Sequence, residues 1–163
     1  MDNLKKVDHA ALKTNQIIIV ALNILAFILN IPWLVAGVTL FMLAGTFLGV
    51  TGFGFVYFKA LKPLGWLKPD ILLDHPEPHR FAQGFGGVVM LGGTLALFLG
   101  APGLGWALVW LVAALAALNA FAGFCVGCFV YYWLNRIGVP GFREAPLPGI
   151  FPGMRPKDVL HDS

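Results

Sequence analysis

Residues 14–58 read TNQIIIVALNILAFILNIPWLVAGVTLFMLAGTFLGVTGFGFVYF and contain no charged side chain. A second uncharged stretch runs from Phe81 to Asn135. A membrane crossing takes roughly 20 apolar residues, so each stretch is too long for one helix and suits two. Asn30-Ile31-Pro32 and the segment 100–103 place turn-forming residues in the middle of these stretches, and we expect a turn at each.

The sequence therefore predicts an all-α integral membrane protein whose four transmembrane helices form two hairpins. The composition agrees, because 58% of the residues are hydrophobic and 12% are charged, against about 25% charged in soluble domains. We expect one membrane domain, residues 1–137, followed by an irregular tail rich in proline and glycine, residues 138–163. The expected helices span about 15–29, 33–58, 81–99 and 104–134.

The basic residues predict the orientation. All 11 Lys and Arg lie before the first expected helix, between the second and third, or after the fourth. Basic residues accumulate on the cytoplasmic side, so both termini and the central loop are expected in the cytoplasm of a bacterium, around its inner membrane. The net charge of +3 follows from this topology and indicates no nucleic-acid partner.

Short matches between the two halves raise the hypothesis of a parallel internal repeat, with a pseudo-two-fold axis along the membrane normal. Chance similarity in a biased composition is the alternative. The matched features are Asp8-His9 with Asp74-His75, Phe55-Val56-Tyr57 with Phe129-Val130-Tyr131, and Thr51 and Gly54 with Cys125 and Cys128.

Cys125 and Cys128 are the two cysteines of the chain. We expect them on one face of the last helix, near its cytoplasmic end, because residues three apart lie one turn apart. The cytosol is reducing, which disfavours a permanent disulfide and favours thiol exchange or metal binding. The alternative to both is that the two cysteines are simply small, buried apolar residues.

Four other side chains are candidates for the same site. Arg80 is expected at the depth of Cys128, where a cation lowers the pKa of a thiol. Gln83 is expected one turn deeper. The alternatives are that Arg80 is an interfacial anchor and that Gln83 makes an interhelical contact. A zinc site of Cys125, Cys128, His75 and His79 has suitable ligands. The prolines between the histidines favour a solvated loop instead, so no metal is favoured, and both zinc and a quinone stay open as cofactors.

A larger set of motifs comprises Leu73-Asp74, Arg80-Phe81-Ala82-Gln83, Leu118-Asn119-Ala120, Gly123-Phe124-Cys125-Val126-Gly127-Cys128 and Tyr131. These motifs resemble those of a bacterial family of small four-helix integral membrane proteins classed as a domain of unknown function. The resemblance extends from Val7 to about Arg136, and its members are associated with thioredoxin-like and rhodanese-like proteins. It implies thiol or sulfane-sulfur handling, although Phe129 stands where a polar residue often follows the second cysteine.

We therefore expect a bilayer-embedded protein with a cytoplasmic Cys-x-x-Cys pair for thiol/disulfide or sulfane-sulfur chemistry, and leave open whether it is an enzyme. Its partner would be a thioredoxin-like or rhodanese-like cytosolic protein, or a quinone. The alternative function is that of a non-catalytic accessory subunit in a larger membrane complex, with glycine stripes and the tail as packing surfaces.

Overall fold

The structure is a computed structural model that describes residues 5–65 and 69–156. Residues 1–4 of the expected membrane domain, Lys68 of its central loop and residues 157–163 of the expected tail lie outside the described part. The described elements are β1 (Lys5–Asp8), α1 (His9–Leu29), α2 (Pro32–Leu48), α3 (Gly54–Val56) with a π-helical turn (Tyr57–Leu61), β2 (Ile71–Asp74), α4 (Pro76–Phe98), α5 (Pro102–Ala122) and α6 (Val126–Arg136).

Three of these helices are long and apolar enough to cross a membrane, counted over the described residues: α1, α4 and α5. Helix α2 is also apolar but has 17 residues. The turns expected at Asn30 and at segment 100–103 separate α1 from α2 and α4 from α5. The chain is thus a helical protein with three candidate membrane spans.

Helices α1 and α4 begin earlier than the sequence indicated. Helix α1 starts at His9 because the Asp8 carboxylate accepts a hydrogen bond of 3.0 Å from the Ala10 N–H group and caps the first turn. Helix α4 starts at Pro76, since proline fits the first turn, where a backbone N–H has no intrahelical acceptor. Charged residues were expected to lie outside the helices, and here Lys13 lies within α1, and Glu77 and Arg80 lie within α4.

The two longest expected helices, 33–58 and 104–134, are interrupted, which corrects the expectation of continuous helices. Gly49 ends α2 with a φ of 72°, and Gly123 ends α5 with a φ of 67°. Glycine adopts this left-handed conformation without the steric cost that a Cβ brings. A short second helix follows each break, so both halves have the order strand, helix, helix, break, helix.

The helices pack through small and branched residues. Helix α1 lies against α5, and α2 against α4. Val35, Val38, Met90 and Val109 are buried between them, while large apolar side chains such as Phe47 remain 81% exposed on the outer surface. An apolar outer surface suits a lipid environment, where tight packing of small residues holds helices together.

Strands β1 and β2 connect the two halves at one end of the bundle. They pair antiparallel, with Lys5 opposite Asp74 and Asp8 opposite Ile71. The His9 N–H group donates a hydrogen bond of 2.8 Å to the Asp70 carbonyl oxygen just beyond the pairing. This arrangement brings the start of α1 beside the start of α4.

Candidate functional site

Cys125 and Cys128 lie at the helix break, and not inside a regular helix as the sequence indicated. Helix α5 closes at Gly123, whose N–H group bonds the Asn119 carbonyl oxygen. Phe124 forms an isolated antiparallel bridge with Met154 of the tail, and Cys125 is the N-cap of α6.

The two sulfurs are at disulfide distance, with the Cα atoms 5.2 Å apart. Both residues are buried, Cys125 being 5% and Cys128 3% exposed. The Cys128 N–H group donates a hydrogen bond of 3.1 Å to the Cys125 Sγ atom. Because Cys125 caps the helix, its sulfur lies at the positive end of the α6 dipole, where a negative charge is stabilised.

His79 lies beside the pair. Its Nδ1 atom is 3.5 Å from the Cys128 Sγ atom. The expectation of a solvated loop around His79 is wrong, because Pro76 and Pro78 both lie in the first turn of α4 and the helix continues through His79. The side chain is 17% exposed, and the packing of α4 against α6 holds it beside the cysteines.

Asp74 orients the imidazole of His79. Its Oδ2 atom is 2.9 Å from the His79 Nε2 atom, and its Oδ1 atom accepts a bond of 2.8 Å from the His75 N–H group. A carboxylate accepts only, so Nε2 carries the proton and Nδ1 presents a lone pair to Cys128. His9 Nε2 lies 3.2 Å from the same Oδ2 atom, although without hydrogen-bond geometry.

The electrostatics of Asp74 favour its ionised form. Burial alone raises the pKa of this carboxyl group, but the contacts with His79 and His9 outweigh burial. The net pKa of Asp74 lies well below its ordinary value. A permanent negative charge thus lies behind His79, on the side away from the cysteines.

Arg80 and Gln83 bond helix α2 and not the cysteines. Arg80 donates from Nε to the Thr46 carbonyl oxygen over 2.7 Å and from a terminal nitrogen to the Phe47 carbonyl oxygen. Gln83 donates to the Met42 carbonyl oxygen over 3.0 Å. Arg80 therefore satisfies carbonyl groups at the C-terminal end of α2, where helices leave them unpaired, and Gln83 adds a bond to a carbonyl group one turn earlier in α2.

His75 is likewise separate from the pair. Its Nδ1 atom lies 3.0 Å from the Glu144 Oε2 atom, in the tail. Of the four ligands considered for zinc, the structure therefore brings together Cys125, Cys128 and His79, whose ligand atoms lie within 4.8 Å of one another.

A cavity of about 310 Å³ borders the site. His9, Asp74, His79 and both cysteines contribute to its wall, together with the tail. The tail reaches the site because the Cys125 N–H group donates a bond of 2.8 Å to the Gly153 carbonyl oxygen. Sequence reasoning did not include Asp74 and His9 in the site, although the two Asp-His pairs marked both positions.

The fold and the site together define a helical membrane protein with a cysteine pair at disulfide distance, in contact with a histidine–aspartate pair. The chain belongs to a family described as "Domain of unknown function (DUF4395)", whose profile matches residues 7–136. This match confirms the resemblance drawn from the sequence to a family of unknown function. No curated protein and no solved structure matches the chain.

Proposed function

We propose that this protein is a multi-pass membrane thiol–disulfide oxidoreductase, in which Cys125 and Cys128 exchange electrons with a thioredoxin-like protein in the cytosol. The observation that carries the proposal is the contact of 3.5 Å between His79 Nδ1 and Cys128 Sγ, beside a cysteine pair at disulfide distance. Two structural cysteines packed as small apolar residues need neither an imidazole nor a carboxylate behind it.

Cys125 is the attacking cysteine in this proposal. When the pair is reduced, its thiolate is stabilised by the N-terminus of α6 and by the Cys128 N–H group. A thiolate is the nucleophile in disulfide exchange. Cys128 is the resolving cysteine, and His79 Nδ1 accepts its proton.

The exchange balances in two steps. The Cys125 thiolate attacks one sulfur of the partner's disulfide, so that a mixed disulfide forms and the partner's other sulfur leaves as a thiolate. Cys128 then loses its proton to His79 and attacks the Cys125 sulfur, which releases the partner's second thiolate. The partner gains two electrons, the Cys125–Cys128 disulfide forms, and the reverse sequence reduces it.

The topology proposed for this chemistry has four crossings with both termini in the cytoplasm. Helix α2, with 17 residues, is at the short end of the range that crosses a bilayer, about 17–25 residues. Lys5 and Lys6 lie in β1, and Lys13 and Arg155 line the cavity that also borders the cysteines, which supports a basic end of the bundle at the site. By the positive-inside rule this end faces the cytosol of the bacterial inner membrane.

Trapping of the mixed disulfide tests the function. The reduced protein in detergent is mixed with glutathione disulfide, under chelator, and analysed by intact mass. We expect the wild type to form its internal disulfide, and Cys128→Ser to accumulate a glutathione adduct on Cys125. Cys125→Ser, the matched control, is expected to form its adduct much more slowly. Equal slow adduct formation in both variants, with no internal disulfide in the wild type, contradicts the proposal.

A further inference from the structure

We propose that the reduced protein binds one zinc ion through Cys125, Cys128 and His79. The ligand atoms of these three residues lie within 4.8 Å of one another. Zinc–sulfur bonds of about 2.3 Å and zinc–nitrogen bonds of about 2.0 Å place tetrahedral ligand atoms roughly 3.5–3.8 Å apart. The observed 3.5 Å between Cys128 Sγ and His79 Nδ1 already has this spacing, and reduction of the disulfide frees the two sulfurs to separate.

The surroundings of His79 are those of a metal ligand. Metal-binding histidines generally donate their second ring N–H group to a carboxylate, which fixes the tautomer and the orientation of the ring. His79 has such a partner, because its Nε2 atom lies 2.9 Å from Asp74 Oδ2. The nitrogen that faces the sulfurs is therefore the one with a free lone pair.

The site has three protein ligands and one open position. His75 contacts Glu144 and His9 contacts Asp74, and among the described residues only His79 is grouped with the two sulfurs within ligand distance. Cys125, Cys128 and His79 all contribute to the wall of the cavity of about 310 Å³, which leaves the fourth position facing that cavity. Zinc sites with three protein ligands and an open position are of the catalytic type, and here water or a small thiolate fits the fourth position.

Zinc and the disulfide exclude each other, because both use the same sulfur electron pairs. When a partner disulfide oxidises the loaded site, the two zinc-bound thiolates form one disulfide. The partner disulfide takes up these two electrons and leaves as two thiolates, and the zinc ion is released. Binding requires the reduced cysteines but not the exchange activity, so the two proposals stand independently.

A metal titration of the whole protein tests the site. The reduced protein in detergent is titrated with Zn²⁺ against a chromogenic chelator, and with Co²⁺ to record the sulfur-to-metal charge-transfer band. We expect one equivalent of Zn²⁺ in the reduced form, none in the disulfide form, and release of the metal when a disulfide oxidant is added. The Co²⁺ spectrum is expected to show tetrahedral thiolate ligation.

Variants separate this site from non-specific binding. His79→Gln and each Cys→Ser variant are expected to weaken zinc binding at least tenfold, and Asp74→Asn about 10- to 100-fold through the orientation of His79. His75→Gln, the matched control, is expected to bind like the wild type. Absence of stoichiometric zinc, or binding unchanged in His79→Gln, overturns the proposal. Glutathione exchange measured on the same samples shows whether the oxidoreductase function stands or fails separately.

Discussion

The Nδ1 atom of His79 lies 3.5 Å from the Sγ atom of Cys128, although 49 positions separate the two residues in the chain. The contact joins the first turns of α4 and α6. It forms because α6 approaches α4 closely: a Cβ atom built on Gly127 would lie 2.5 Å from the Ala82 Cβ atom. A residue that looked like ordinary packing in the sequence thus controls the geometry of the site.

Replacement of His79 tests its role as the proton acceptor. We expect His79→Gln to slow the exchange of the reduced protein with glutathione disulfide at least about tenfold, because positioned acid–base groups contribute that much or more. The rate is measured across a pH series in the presence of chelator, so that metal binding does not contribute.

His75→Gln is the matched control for that experiment. His75 starts the same helix and also contacts a carboxylate, that of Glu144, but it does not reach the sulfurs. Its exchange rate and pH profile are expected to match those of the wild type. If both variants slow the exchange equally, the effect is one of folding and His79 has no chemical role.

Substitution of Gly127 tests the close approach of the helices. In Gly127→Ala the new methyl group meets the Cα atom of Ala82 at 2.7 Å, so α6 has to move away from α4. We expect a lower Tm and slower thiol exchange, since overpacking costs about 1–3 kcal/mol and the contact between His79 and Cys128 lengthens. Thermal unfolding in detergent and the exchange rate are the two measurements.

Gly92→Ala provides the control, because its methyl group would find Leu108 Cδ1 at 3.7 Å, an ordinary contact. Alanine is a better helix former than glycine, so this variant is expected to keep its Tm or raise it, with an unchanged exchange rate. Equal behaviour of the two variants would show that α6 is not held by close packing at Gly127.

The sequence predicted the turns between α1 and α2 and between α4 and α5, because the length of each uncharged stretch can be compared directly with the thickness of a bilayer. The breaks at Gly49 and Gly123 were not predicted. Glycine inside an apolar run looks like packing, and only its positive φ distinguishes it as the end of a helix.

The polar half of the site was harder to predict than the cysteines. Pro76 and Pro78, which precede His79, favoured a loop in the sequence. In the structure both lie in the first turn of α4, where proline is compatible with a helix. The pairing of β1 with β2, which brings His9 to Asp74, joins segments that are far apart in the chain. A single sequence carries no record of such a long-range contact.

Arg80 provides a test of whether the motif residues act on the thiols or on α2. Its hydrogen bonds to Thr46 and Phe47 close the C-terminal end of α2. We expect Arg80→Gln to lower the free energy of unfolding by about 1 kcal/mol and to leave the exchange rate unchanged. Chemical unfolding in detergent and the glutathione assay measure the two effects. A large loss of exchange with an unchanged stability would instead assign Arg80 to the thiol site.

Asp74 is expected to make the stability of the disulfide form depend on pH. Its pKa is lowered in the folded protein, so its stabilising contribution is fully present above its unfolded pKa of about 3.9 and is lost as the pH falls towards the folded value. We expect Asp74→Asn to lower the free energy of unfolding by about 1–3 kcal/mol at neutral pH. The difference in Tm from the wild type should be constant above about pH 5 and shrink below pH 4. A difference that persists or grows in acid would contradict an ionised Asp74.

The tail is expected to shield the cysteines through Gly153. This residue has a φ of 85°, and a Cβ atom on it would lie 2.8 Å from the Cys125 carbonyl oxygen and 3.0 Å from the Phe129 Cβ atom. Gly153→Ala therefore displaces the tail from Cys125 and breaks the hydrogen bond that joins them. We expect faster proteolysis within the tail and faster maleimide labelling of the reduced cysteines.

Gly149→Ala separates this effect from backbone strain. Gly149 also has a positive φ, 78°, but nothing lies within 4 Å of the position of its Cβ atom. Both variants carry the cost of a left-handed alanine, roughly 1–2 kcal/mol, and only Gly153→Ala adds the clash at Cys125. Labelling and proteolysis of Gly149→Ala should therefore stay close to the wild type. Equal acceleration in both variants would mean that the tail is held by its general conformation, and that its contact with Cys125 does not control access to the cysteines.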